Sequence, residues 1–331
     1  MKIPNQLIEK IDKYLEENQD KPRLHMGASL LGHKCDRYLW LNFRWAVKKK
    51  NSKNMSIGRL QRIFRKGHIM EDLAKKDLEN AGIVFLKPEE GKQHSVNFGS
   101  HVSGSVDGII LSGVPEAPNK KHIWENKSHN DKSFSDLVNN GVEKSQQKHY
   151  IQAQVYMYGL DIDRCLYTAE NKNDENIYSE RLRLDKAVAE KAVTRGKEIA
   201  TSDRLPEPLT GAGATWYECK MCDCYDFCHK TKLTREINCR TCAHFTAEKN
   251  GTFTCARWGN AEIPAENQYT GCDSHVFHTD LVPWQFSEKD STETSAAYMI
   301  GGKIVLNGDA GINSRDLLQL SDVVKVFEGE L

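Results

Sequence analysis

Asp107 in GSVDGII is followed eighteen residues later by Glu125 and Lys127 in WENKS. Successive side chains on a strand alternate between faces, so Glu125 and Lys127 share one face and Asn126 takes the other. Two carboxylates from neighbouring strands can converge on one hard divalent cation while an ammonium stands beside it, and Mg2+ suits such an oxygen-rich, partly hydrated site. A cation there would bind a phosphate and lower the pKa of a bound water, with Lys127 orienting that water or stabilising charge on the phosphorane. By itself the pattern is also that of an ordinary salt-bridged strand. Its neighbours shift the balance. Upstream, RKGHIMED offers His68 and Glu71 as a further ligand. Downstream, Gln152 and Tyr156 lie four apart and share a helix face, as do Gln154 and Tyr158.

The ten cysteines form a second chemical signal. In CKMCDCYDFCH, residues 219 to 229, Cys219 and Cys222 have the spacing that turns two thiolates onto one metal, and Cys228 follows. A tetrahedral zinc site needs a fourth ligand, for which Cys224 and His229 are local candidates. Cys35, in GHKCDRYLW, lies far upstream. Cys239, Cys242, Cys255 and Cys272 make a separate set in a segment too polar for a core of its own, which points to a structural zinc site supplying folding energy, with His275 able to replace one thiolate. Cys165, in RCLYTAE, reads as a buried strand residue.

With 39% hydrophobic and 28% charged residues the chain has a globular rather than a disordered composition, and its 331 residues allow one main domain with an appendage. No stretch approaches the ~18 apolar residues needed to span a bilayer. The charged start, MKIPNQLIEKIDKYLEENQDKPR, lacks the apolar core of a secretory signal, so a cytoplasmic location without a membrane partner is expected. In that reducing setting clustered thiols are metal ligands more often than disulfides. Formal net charge is zero, yet Lys34 to Lys66 carries eleven Lys and Arg against Asp36 alone, interleaved with Tyr38, Trp40, Phe43, Trp45 and Phe64. Such a block can bind phosphates and stack bases, or be a solvated face over a helical core.

Apolar spacing predicts a helix over 4–17, a short one from a Ser29 cap through Cys35 to Trp45, and a longer one over 57–81 ended by Gly82. IVFLK, HSVNFG, HVSGSVDGIIL and HIWENKS read as strands of a meander. Residues 144–159 read as a helix, RCLYTAE and NIYSERLRL as strands, and 185–201 as a helix. This order is α/β, one central mixed sheet flanked by helices, with a small C-terminal cysteine-rich metal-binding module. Boundaries are expected at 230 and 280: a domain over 1–230, a zinc-binding module over 231–280, and a linker and tail over 281–331. Within the tail 285–296 reads as polar linker and YMIGGKIVLNG as a hairpin around Gly301 and Gly302.

By motif order the chain resembles the PD-(D/E)XK nuclease superfamily, and within it the RecB-like group with its phage exonucleases and CRISPR-associated adaptation nucleases. The matching pieces are Gly67 to Glu71, the Asp107 strand, Glu125-Asn126-Lys127, and Gln152 to Tyr156. The resemblance covers roughly residues 25 to 230. It implies a restriction-endonuclease-like core in which Glu71, Asp107 and Glu125 bind Mg2+ or Mn2+, Lys127 assists the attacking water, and Gln152 and Tyr156 line the cleft; His68 is the alternative to Glu71. It also implies that Cys35, Cys219, Cys222 and Cys228 hold a 4Fe-4S cluster as a clasp, with Zn2+ as the alternative. The function implied is hydrolysis of single- or double-stranded DNA, as an exonuclease, in phage or mobile-element recombination, with a recombination or single-strand-binding protein as partner. RNA or a branched junction as substrate is the alternative within the same chemistry. A non-catalytic DNA-binding or scaffold protein is the alternative from another class.

Overall fold

A computed structural model describes residues 5–48, 55–90 and 92–320 of the chain. Its helices are α1 (Gln6–Glu17), α2 (Asp36–Phe43), α3 (Ile57–Asn80), α4 (Asp131–Ser145), α5 (Gln147–Leu160), α6 (Lys186–Thr201) and α7 (Tyr217–Lys220). Its strands are β1 (Met26–Gly27), β2 (Val84–Phe85), β3 (Ser95–Gly99), β4 (Val102–Ser105), β5 (Gly108–Ser112), β6 (His122–His129), β7 (Arg164–Asn171), β8 (Ile177–Arg183), β9 (Phe245–Ala247), β10 (Phe253–Cys255), β11 (Ala261–Glu262), β12 (Gln285–Thr292), β13 (Ser295–Ile300) and β14 (Lys303–Gly308). Among the described residues no helix is long and apolar enough to cross a membrane. The chain divides into two compact units, residues 1–33 with 50–196 and residues 34–49 with 197–331. This partition follows contacts in space, and it groups Lys34–Lys49 with the cysteine-bearing segments where the sequence suggests a boundary at 230.

The first unit is built on a five-stranded mixed sheet in the order β2-β5-β6-β7-β8. β6 and β7 run parallel from Ile123↔Cys165 to His129↔Asn171, and the other pairings are antiparallel. β6 is paired on both edges, which suits its largely buried run. One face carries Trp124, packed with Phe85 and Ile110 and with Ala74 and Leu78 of α3. The opposite face carries Glu125 and lies under α5, from which Gln152 reaches down to it. Ser56 caps α3 by accepting from Arg59 N, and Gly82 ends it in the left-handed region at φ 93.

Several expectations change on contact with the fold. HVSGSVDGIIL is two strands in different sheets, because β4 joins β1 and β3 in a second, three-stranded sheet whereas β5 pairs with β6. Asp107 therefore sits in the break between β4 and β5, not within a strand. α2 begins only after Cys35, since Ala28–Leu30 forms a separate 3-10 turn. A helix over 131–145 precedes the expected one, and Gly141 at φ 73 kinks it.

In the second unit β9, β10 and β11 form one small sheet and β12, β13 and β14 another. Residues 285–292, expected as linker, are β12. They read as polar because β12 is an edge strand lying mostly in solvent, whereas β13 is paired on both sides and almost wholly buried. Gly301 and Gly302, with φ of 56 and 75, make the two-residue turn between β13 and β14, as such a hairpin requires. Tyr298, Phe277, Val276 and Leu317 fill the core beneath.

Of the aromatic residues in the basic block Trp40 and Phe43 are core, Tyr38 and Trp45 are half-buried, and Phe64 is exposed. Leu39, Trp40 and Phe43 recur at helical spacing and are buried in this unit. Arg44 is buried as well, donating to Asp203 Oδ1 at 3.0 Å. Arg240, fully buried, donates to the Phe43 carbonyl at 2.7 Å, with its guanidinium 3.9 Å from the Trp45 ring centroid. Trp40, Phe43 and Arg44 are thus committed to packing, not to stacking bases. In the first unit Arg62 is likewise engaged, by Asp12. Lys49, Lys50 and Lys53 lie outside the described residues.

Candidate active site

The first unit brings Glu71, Asp107, Glu125, Lys127, Gln152 and Tyr156 into one neighbourhood. The sheet switch at Asp107 turns its carboxylate toward β6, where Oδ2 accepts from the Asn126 backbone N–H at 2.9 Å. Glu125 and Lys127 share a face of β6 as strand alternation requires. Lys127 Nζ pairs with Glu125 Oε1, lies 3.5 Å from Asp107 Oδ2, and donates to the Asn126 carbonyl at 2.9 Å, so the ammonium bridges the two carboxylates. From α5, Gln152 Nε2 donates to Glu125 Oε1 at 2.7 Å and stands 3.5 Å from the Tyr156 hydroxyl. The alternative pair is turned away: Gln154 donates to the Arg183 carbonyl and accepts from Asp185 N. On α3, Glu71 is near enough to feel the Asp107 charge, whereas His68 has 81% of its side chain exposed and stands 3.9 Å from Glu71. A cleft of about 130 Å3 is lined by Glu71, Asp107, Lys75 and His94 among others.

Crowding of carboxylates in a buried place sets the charge state. Burial, with Asp107 adding to it and Lys127 opposing it, pushes Glu125 up to about 8. Burial and Asp107 push Glu71 up to about 7. Burial works against the charge on Lys127, but Glu125 and Asp107 outweigh it and hold the ammonium above the usual lysine range. Glu125 Oε2 is buried with no hydrogen-bond partner among the described residues. Among the described residues no three His, Cys, Asp or Glu side chains form a ready-made metal cage; here Nζ stands between two of the carboxylates.

Sequence reasoning missed a polar chain on the same face. His129, two residues beyond Lys127, places Nε2 3.1 Å from the Tyr167 hydroxyl and Nδ1 2.8 Å from Ser133 Oγ. His149 Nδ1 lies 2.9 Å from the same Tyr167 hydroxyl. Tyr167 stands opposite Glu125 in the β6–β7 ladder. The signal was present: His129 continues the alternation from Glu125, and His149 precedes Gln152 by three on one helix face.

In the second unit, burial, then Cys222 and Cys35, push the Cys219 thiol up. Burial pushes Cys228 up to about 11, with Cys222 and Cys35 adding and Arg37 opposing. Cys35 thus lies near enough to Cys219 and Cys228 for its charge to act on both. Cys224 is buried beside Cys222, and His229 lies against the Tyr225 ring. Cys239, Cys242, Cys255 and Cys272 line one cavity of about 20 Å3 together with His244 and His275. His275 is no spare ligand, since its ring nitrogens meet Ser314 Oγ at 2.8 Å and Thr241 Oγ1 at 3.1 Å. His244 Nε2, by contrast, is buried without a partner among the described residues. Cys165 is buried in β7.

No family model and no curated protein matches this sequence. Among solved structures the chain is similar to SSO0001, at 18% identity and a TM-score of 0.39 over 66% of this chain and 94% of the other. It is similar also to an alkaline exonuclease, LHK-Exo from Laribacter hongkongensis, at 13% identity and a TM-score of 0.39 over 58% and 90%. The LHK-Exo complex with dAMP gives 12% identity and a TM-score of 0.36 over 53% and 85%.

Proposed function

We propose that the protein is a divalent-metal-dependent phosphodiesterase acting on DNA, an exonuclease of phage or mobile-element recombination. The observation that carries this is the set of three carboxylates gathered around Lys127, two of them raised in pKa and one ending in a buried oxygen without a partner. Stable ion-pair networks satisfy their buried oxygens; a site made for a cation leaves lone pairs for it. That donor set fits Mg2+ or Mn2+. Glu71, Asp107 and Glu125 would hold the ion, which when bound polarises a phosphodiester and lowers the pKa of a water.

The chain's own residues do the rest. Gln152 holds Glu125 Oε1 by its amide, fixing the carboxylate's rotation. The Asn126 N–H does the same for Asp107. Lys127, kept charged, offers Nζ to orient a water or to meet charge developing on the phosphate oxygens. Tyr156, raised by burial, keeps its proton and backs the Gln152 amide.

The test is release of nucleotides from end-labelled linear DNA, single- and double-stranded, with circular DNA alongside. Wild type with Mg2+ or Mn2+ is expected to degrade linear DNA, and Asp107→Ala to lose that activity. A wild type inactive on both linear forms, or an Asp107→Ala variant of equal activity, returns the chain to a binding or scaffold role. RNA and junction substrates in the same assay decide substrate class.

The cysteines suit a separate structural role. Four thiols, Cys35, Cys219, Cys222 and Cys228, fit a 4Fe-4S cluster or, failing that, Zn2+. The four thiols around the small cavity, with His244 Nε2 beside them, fit Zn2+. Anaerobically purified protein is expected to contain iron and zinc and to absorb broadly at roughly 400 nm. A colourless protein with zinc alone would remove the iron-sulfur assignment.

A further inference from the structure

Hydrogen bonding fixes the proton positions of the chain that ends at His149. Ser133 Oγ accepts from Gln146 Nε2 at 3.1 Å, and an amide nitrogen can only donate. Among the described residues the remaining neighbour of Ser133 Oγ is His129 Nδ1, so the serine proton has an acceptor there only if that nitrogen is unprotonated. Burial, with Lys172 and Lys127, disfavours the charged form of His129, and a neutral ring with a bare Nδ1 carries its proton on Nε2. Nε2–H then donates to Tyr167 Oη, whose own proton is left for His149 Nδ1. Burial and the Lys127 charge push His149 down to about 3, so it too is neutral, and its proton stands on Nε2. The reverse order would leave the Ser133 proton without an acceptor among the described residues. Among the described residues His149 Nε2 has no partner, and it is not one of the buried polar atoms shut off from solvent.

We infer that His149 contacts the substrate: its Nε2–H donates to an oxygen of the phosphodiester, and the chain Gln146–Ser133–His129–Tyr167 holds the ring in the tautomer that makes Nε2 the donor. This rests on the nuclease reading of the same site. His149, Gln152 and Tyr156 recur on one face of α5, so the donor stands in line with the amide that holds Glu125 and within the field of Lys127. A neutral donor complements the Lys127 ammonium, adding direction to a contact that charge alone leaves loose. Tyr167 and His129 are positioning residues, acting through His149.

Two measurements test it. Long-range 1H–15N correlation of histidine rings in the whole protein, with the His149 signal assigned from its loss in His149→Asn, should show the Nε2-protonated tautomer. That tautomer should persist where an ordinary histidine titrates, near pH 6.5. An Nδ1-protonated or titrating ring overturns the inference. In the cleavage assay His149→Ala should lower kcat/KM by about three- to tenfold, the scale of one neutral hydrogen bond. His149→Gln, which returns an N–H near the Nε2 position, should recover part of the loss. Tyr167→Phe should lower activity and mix the His149 tautomers. A cleaving wild type matched by His149→Ala, or a His149→Gln no better than alanine, sinks the inference and leaves the nuclease reading standing. A wild type that cleaves nothing sinks both.

Discussion

Lys127→Ala is expected to lower kcat by about 10^2- to 10^4-fold, the range for a positioned group that handles a proton or developing charge. Two losses act together. Nζ, which bridges Glu125 Oε1 and Asp107 Oδ2, disappears from the reaction's neighbourhood. Glu125, fully buried and already raised to about 8 with Lys127 opposing the rise, also loses its counter-charge and holds a proton more tightly. A protonated Glu125 is a poorer ligand, so the variant should need more Mg2+ for half-maximal rate as well as turning over more slowly. Lys127→Arg should not restore activity, because a planar guanidinium cannot sit as a point charge between the two carboxylates. Steady-state rates on linear duplex DNA across a Mg2+ titration check both parts. A slower variant with an unchanged Mg2+ requirement would mean that Lys127 acts on the substrate alone and does not govern the charge of Glu125.

The Glu125–Lys127 strand was legible in the sequence because a two-residue period needs no knowledge of partners: the two residues had to share a face wherever β6 lay. A central mixed sheet flanked by helices was legible from element order; that β6 lies in the middle of it comes from the pairing. What escaped depended on contacts distant in sequence. Asp107 lies where the chain leaves one sheet for another, and HVSGSVDGIIL has the composition of one strand because both halves of the switch are β-forming. Gln152 and Gln154 are two apart on one helix, and only the position of β6 beneath α5 selects which meets Glu125. Trp40 and Phe43 looked available for bases because a helix with one buried face and scattered arginines reads the same from either side; burial of the rings and the Arg44–Asp203 pair decide it. His129 and His149 were reachable from period alone, had the alternation been extended one step past Lys127 and one helical turn before Gln152.

The same buried carboxylates couple stability to metal and pH. Glu125 at about 8 and Glu71 at about 7 lie above their ordinary 4.5, so between those values the folded chain binds more protons than the unfolded one. Their contribution is full below about 4.5 and is lost as pH rises through 7 and then 8, so the metal-free protein should lose stability across that window. Histidines work in the opposite sense. His149, pushed down to about 3, and His275, down to about 4, cost stability only as pH falls below their ordinary 6.5. Between about pH 6.5 and pH 8.5 the histidines therefore add little, and the carboxylates act with a smaller contribution near the upper end from buried thiols, such as Cys228 and Cys239, that are raised in the same sense. At the lower pH a cation must displace protons from Glu71 and Glu125; at the higher it meets carboxylates already bare. Mg2+ at about a hundred times its Kd contributes about 2.7 kcal/mol, or roughly 5–10 °C in Tm for a domain near 200 residues, and this full shift is expected near pH 8.5. Near pH 6.5 the same concentration should give a much smaller shift, since each pKa unit of proton competition weakens affinity about tenfold. Thermal melts at both pH values, with and without Mg2+, measure the difference directly, and Asp107→Asn should abolish it. A shift of equal size at both would mean that the ion binds away from the raised carboxylates.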